Sequence, residues 1–144
     1  MPGAAGPGAE IVQGHPVYGY LIQNTCGNYN GAEVNLTVTG PGVIVVTAIV
    51  GIDTYKTANG TYNYTGVVVD LSNSSSDCST LAQVVYVDGS TPNGYFYTTV
   101  PLVRSWNVTS PGIYSYFVDG YTENPSSGYS DFSGASVVGE YFPA

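Results

Sequence analysis

One histidine, one lysine and one arginine carry all the imidazole and cationic side-chain chemistry of this 144-residue chain: His15, Lys56 and Arg104. Against them stand ten acids, Glu10, Glu33, Asp53, Asp70, Asp77, Asp88, Asp119, Glu123, Asp131 and Glu140. General acid–base catalysis near neutral pH draws on His, tuned carboxylates or Lys. His15 lies between Gly14 and Pro16 and reads as an exposed or packing residue of a linker. A glycosidase needs only two carboxylates across a sugar, but no two acids here have a spacing that predicts such a pair. Calcium needs several oxygens converging in one loop. Asp70, Asp77 and Asp88 lack that spacing, and Asp88-Gly89 and Asp119-Gly120 read as hairpin turns, which leaves only acids gathered from separate loops. Lys56 beside an Asn or Asp would suit an isopeptide bond, yet Thr54 to Asn59 reads as a strand end entering a turn. No catalytic residue, metal or cofactor is expected, and the chain does not read as an enzyme.

Cys26 and Cys78 sit in polar surroundings, too few to form a zinc cage with one distant His. They are expected to pair as a disulfide rather than remain free thiols, closing a loop of about 50 residues and adding about 4 kcal/mol. Such a bond implies an oxidising compartment or a hyperthermophile. Five N-x-Ser/Thr sequons begin at Asn35, Asn59, Asn63, Asn73 and Asn107, where about two would arise by chance at this composition. In a strand, residues i and i+2 share a face, so Asn35 with Thr37 and Asn63 with Thr65 point away from Val34, Leu36, Val38, Tyr62 and Tyr64. Two readings remain open: N-glycan acceptors, or polar residues suited to exposed strand faces.

Net charge is −8 and only 8% of residues are charged, where about 25% is usual. Nucleic-acid binding needs Lys and Arg to displace phosphate counterions, and anionic lipid surfaces draw on the same charges, so neither is an expected partner. The opening MPGAAGPGAE has no basic or apolar region of a secretory signal. That points to earlier trimming or to another exit route, such as upon a virion. The longest apolar run, Val43 to Ile52, is far short of a membrane span.

No stretch shows helical periodicity, whereas strand signals are dense. After a Pro/Gly/Ala lead over residues 1–8, the sequence predicts extended pieces at Ala9–Gln13 and Val17–Gln23. Glu33–Thr39 alternates, with Val34, Leu36 and Val38 on one face, and Val43–Ile52 reads as a central strand buried on both faces. Thr61–Leu71, Leu81–Asp88, Tyr95–Val100, Leu102–Val108, Ile113–Val118 and Ser136–Phe142 follow, separated by Asn-Gly, Pro-Gly and Ser-rich turns. The expected fold is all-β: an antiparallel β-sandwich or jelly roll of about 8–11 strands with an extended N-terminal segment. Residues 1–23 are expected to form a flexible lead and candidate donor strand, and residues 24–144 a single β-sandwich domain.

Tyrosines fall in i, i+2 pairs, Tyr18/Tyr20, Tyr62/Tyr64, Tyr95/Tyr97 and Tyr114/Tyr116. Such rows can stack on sugar rings, form subunit contacts, or simply pack across strands. Edge strands carry unpaired N–H and C=O groups that monomers usually blunt with Lys, Pro or bulges. With one Lys and one Arg, segments such as Val43–Val46 and Val84–Val87 lack charged gatekeepers. The N-terminal segment offers a cover: Ile11, Val12, Val17, Tyr18, Tyr20, Leu21 and Ile22 are the residues expected to pair with a sheet, either the next subunit's or their own.

In its low charge, its Tyr, Thr, Asn and Gly content and its sequons, the chain resembles β-sandwich subunits of extracellular or virion filaments from thermophilic archaea and their viruses. The resemblance spans the chain in composition and style. It implies head-to-tail assembly by donor-strand complementation, with an N-terminal strand filling a neighbour's groove. The expectation is therefore a structural, self-assembling subunit of an extracellular filament, pilus-like or a virion fibre, at a cell or virion surface. Its partner is itself, and where the sequons act as acceptors it also carries covalent N-glycans. The rival expectation is a carbohydrate-binding or adhesion domain, monomer or small oligomer, using the Tyr rows and Trp106.

Overall fold

The computed structural model describes residues 12–13, 20–22, 24–28, 31–56, 65–80, 82–87, 94–123 and 128–144. Their regular elements are nine strands: β1 (Val12–Gln13), β2 (Tyr20–Leu21), β3 (Glu33–Val38), β4 (Gly42–Lys56), β5 (Thr65–Ser72), β6 (Gln83–Val87), β7 (Gly94–Val108), β8 (Gly112–Glu123) and β9 (Gly128–Pro143). All pairings are antiparallel and form two sheets. In the first, the order is β1-β9-β4-β7, with β2 also on β9; in the second it is β3-β8-β5-β6. The chain is an antiparallel β-sandwich, as its alternating strands predict.

Alternation decides which side chains fill the space between the sheets. Val34, Leu36 and Val38 of β3 face inward, as do Ile44, Val46, Ala48, Val50 and Ile52 of β4. From β5 come Val67, Val69 and Leu71, from β8 Tyr116 and Val118, and from β9 Phe132, Ala135, Val137 and Tyr141. Two glycines permit close approach of the layers. A Cβ on Gly139 of β9 would meet Leu36 Cδ1 at 2.6 Å, and one on Gly120 of β8 would meet Phe132 Cζ at 2.9 Å and the Val68 carbonyl oxygen at 2.9 Å.

Three expectations are corrected by register. β4 is central, between β7 and β9, but it is not buried on both faces: Thr47 and Ile49 point outward and are exposed. Tyr95–Val100 and Leu102–Val108 are one strand, because β7 is an edge strand and tolerates Pro101 there. Asp119-Gly120 is no turn; it lies inside β8, with Asp119 opposite Asp70 and Gly120 opposite Val69 on β5. Asp88-Gly89 lies outside the described residues.

Candidate functional site

The edges of the first sheet are the natural place to look for assembly. On one side, β1 pairs Val12 with Gly139 and Gln13 with Val138; β2 pairs Tyr20 with Phe132 and Leu21 with Asp131. Both pairings fall on the same edge of β9, and their registers differ by a single residue. Ile22 follows β2 directly. Its side chain is buried, its N–H donates to the Ser130 carbonyl at 2.8 Å, and its carbonyl accepts from Thr122 Oγ1 at 2.7 Å. Of the seven residues expected to pair with a sheet, Val12, Tyr20, Leu21 and Ile22 are therefore placed against β9 or the core of their own chain. Ile11, Val17 and Tyr18 lie outside the described residues.

On the other side stands β7, fifteen residues bonded to β4 along one edge and to no strand along the other among the described residues. Its gatekeepers are Pro101 and Arg104. Arg104 points inward and bridges the open end of the sandwich. Its Nη1 donates to the Leu71 carbonyl of β5 at 3.0 Å and to Thr80 Oγ1 at 2.5 Å, while the guanidinium carbon lies 4.9 Å from the Trp106 ring centre. Trp106 stacks on Tyr116 with ring centres 4.2 Å apart and packs against the core. It is thus no free platform for a sugar.

A second constellation escapes a linear reading. Asp70 and Asp119 face each other on the outer side of the second sheet, yet both are fully buried. Residues 73–80 and Cys26 carry the chain alongside them: Cys26 is bonded to Cys78, 52 positions away in sequence, with 5.9 Å between Cα atoms. Asn28 N–H donates to the Ser75 carbonyl, and Gly27 and Gly120 exchange backbone hydrogen bonds at 3.1 and 3.0 Å. Asp70 is well served, Oδ1 accepting from Leu71 N and Oδ2 from Thr80 N and Oγ1. Asp119 Oδ2 accepts only a long bond from Asp77 N, at 3.3 Å, and Oδ1 has no partner. Burial, with repulsion from Asp70 and Asp77 added, pushes the Asp119 carboxyl up to about 7 against the lowering pull of the Asp77 amide. Asp77, half-buried in its loop, is held below the usual carboxylate range by the Ser79 hydroxyl and amide. Among the described residues no three His, Cys, Asp or Glu side chains gather to hold a metal.

The tyrosine rows divide by face. Tyr114 and Tyr116 look inward and belong to the core or its margin, whereas Tyr95 and Tyr97 of β7 are 71% and 66% exposed on the outer face of the first sheet. Lys56 is buried at the end of β4. Of the sequon asparagines, Asn35, Asn73 and Asn107 are exposed, and Asn59 and Asn63 lie outside the described residues. His15 does too. Among the described residues no helix is long and apolar enough to cross a membrane.

No family model matches the chain, and no curated protein matches it. Among solved structures it is similar to the globular domain of zebrafish complement 1qA protein, with 8% identity, a TM-score of 0.45, and 90% of this chain and 94% of that one covered. It is also similar to Eiger TNF from S. frugiperda (10% identity, TM-score 0.43, covering 94% and 93%). A third likeness is to dimeric latent PorU from Porphyromonas gingivalis (10% identity, TM-score 0.45), spanning 99% of this chain but 14% of that one.

Proposed function

We propose that this chain is a structural subunit that polymerises with copies of itself into an extracellular filament, pilus-like or a virion fibre, by exchanging its N-terminal strand. The observation that carries the reading is the edge of β9. It is covered only by β1 and β2 among the described residues, both from the first 21 positions and both held through backbone pairing. Such pairing depends little on side-chain identity, so an identical run from a neighbour satisfies the same N–H and C=O groups. The opposite border, β7, adds a long edge with sparse protection in a chain that has two basic residues. A head-to-tail exchange of this kind propagates unless its rotation closes a ring. The Cys26–Cys78 bond supports a location outside the cell, where the exposed Asn35, Asn73 and Asn107 would serve as glycan acceptors.

Deleting residues 1–23 tests it. The truncated protein is expected to lose polymerisation in negative-stain microscopy and to be less stable, since it also loses the buried Ile22. A peptide of residues 1–23 added in trans restores stability but not polymers. Polymers that form unchanged without the segment overturn the reading. The rival, a carbohydrate-binding domain acting as a monomer or small oligomer, loses Trp106 as a platform but keeps Tyr95 and Tyr97.

A further inference from the structure

A furrow crosses the outer face of the first sheet beside Tyr97. Its floor exists because β4 and β9 both place a glycine there, Gly51 opposite Gly134, at the point where the register shifts and Ser133 becomes the extra residue of a β-bulge. Ile49, Tyr97, Thr99, Ala135 and Ser136 complete the lining, around a volume of about 290 Å3. Drug-sized ligands occupy clefts of roughly 300–1,000 Å3, so this one is sized for a single small ring. Tyr97 leans across β4: a Cβ built on Gly51 would sit 2.9 Å from the Tyr97 hydroxyl oxygen and 2.6 Å from Ser133 Oγ. Any larger residue at 51 would therefore fill the furrow or displace that ring.

Three features describe what fits. The Tyr97 ring is largely exposed and forms an aromatic wall. The remaining polar lining is hydroxyl, from Thr99, Ser133 and Ser136, with no charged side chain, and Ser133 Oγ is buried without a hydrogen-bond partner. The next row of the sheet sets Tyr97, Asp53 and Asp131 side by side, so two carboxylates stand at the lip. An aromatic face for C–H groups, the Thr99 and Ser136 hydroxyls and nearby carboxylate acceptors together match the two-sided character of a pyranose ring. The carboxylates exclude an anionic one.

We propose that the Gly51–Gly134 furrow is a binding subsite for one neutral hexopyranose unit, stacked on Tyr97 and hydrogen-bonded by Thr99 and Ser136. The subsite is independent of strand exchange and would make a filament subunit adhesive towards glycans.

The full-length protein, polymeric or not, is titrated with glucose, galactose, mannose, N-acetylglucosamine and N-acetylneuraminic acid, each followed by tyrosine fluorescence and by amide NMR on the dispersed protein. At least one neutral sugar is expected to bind saturably in the millimolar range and to shift Gly51, Thr99 and Ser136, while the anionic sugar does not. Tyr97→Ala weakens binding at least tenfold, and Val103→Ala, exposed on the same strand, leaves it unchanged. Circular dichroism confirms that each variant folds; should Tyr97→Ala not fold, Thr99→Val replaces it, with a loss of at least threefold expected. Absence of saturable binding by every neutral sugar, shifts confined to residues outside the furrow, or full binding by the variants overturns the proposal. Polymer formation, read separately by microscopy, bears only on strand exchange.

Discussion

Arg104 on the edge of one sheet donates to the Leu71 backbone carbonyl of the other at 3.0 Å, so a single side chain fastens the two layers at their open border. β6 pairs with β5 only from Thr65 to Val69, and Arg104 supplies a donor two residues beyond that ladder. Thr80 and the Trp106 ring hold the guanidinium in place. Arg104→Met is expected to lower stability by about 1–3 kcal/mol in urea denaturation, through the abandoned carbonyl and the lost ring contact. Arg104→Lys recovers less than half, because a compact ammonium cannot lie over the Trp106 ring as the planar guanidinium does.

Asp119 ties stability to pH. Its folded carboxyl titrates at about 7, above the ordinary value of 3.8. The folded state therefore binds this proton more tightly than the unfolded state. From this group stability rises as pH falls from about 7 toward 4, and the full penalty of the buried charge is present above pH 7. Asp119→Asn should thus raise the unfolding free energy by on the order of 2 kcal/mol at pH 8 and by little at pH 4. Equal effects of the substitution at both pH values would contradict this assignment.

Removing the cross-link acts through the unfolded chain. The Cys26→Ser/Cys78→Ser variant frees a loop of 52 positions and is expected to be about 4 kcal/mol less stable on loop-closure entropy. Alkylation of the unreduced, denatured parent should add no label to either cysteine.

Close contact between layers makes Gly120 intolerant of a side chain. A methyl group there meets the Val68 carbonyl and the Phe132 ring, both at 2.9 Å. Gly120→Ala should cost about 1–3 kcal/mol from overpacking, measurable as a lowered thermal midpoint.

Period-two patterning made much of this fold legible. β3 shows strict alternation, and Val34, Leu36 and Val38 are buried as that pattern requires. Pairing across the sheets was not legible. Asp119-Gly120 has the composition of a turn, and only the register opposite Asp70 reveals it as a buried strand pair. The two tyrosine rows Tyr95/Tyr97 and Tyr114/Tyr116 have the same spacing but opposite destinations, since spacing sets a shared face without saying which face meets the core. The furrow is hidden for a related reason: it needs Gly51 on β4 to meet Gly134 and a bulge on β9, residues more than 80 positions apart. The Cys26–Cys78 bond, by contrast, followed from count and context alone.

β1 and β2 both lie lengthwise on the same edge of β9, antiparallel to it. A pull along these strands strains the rungs of each together, in shear, instead of parting them one after another like a zipper. Whatever tension passes Ile22 then arrives within four residues at the Cys26–Cys78 cross-link, which hands it to the second sheet. Strand pairing and cross-link thus act in series, like a lap joint with a rivet behind it.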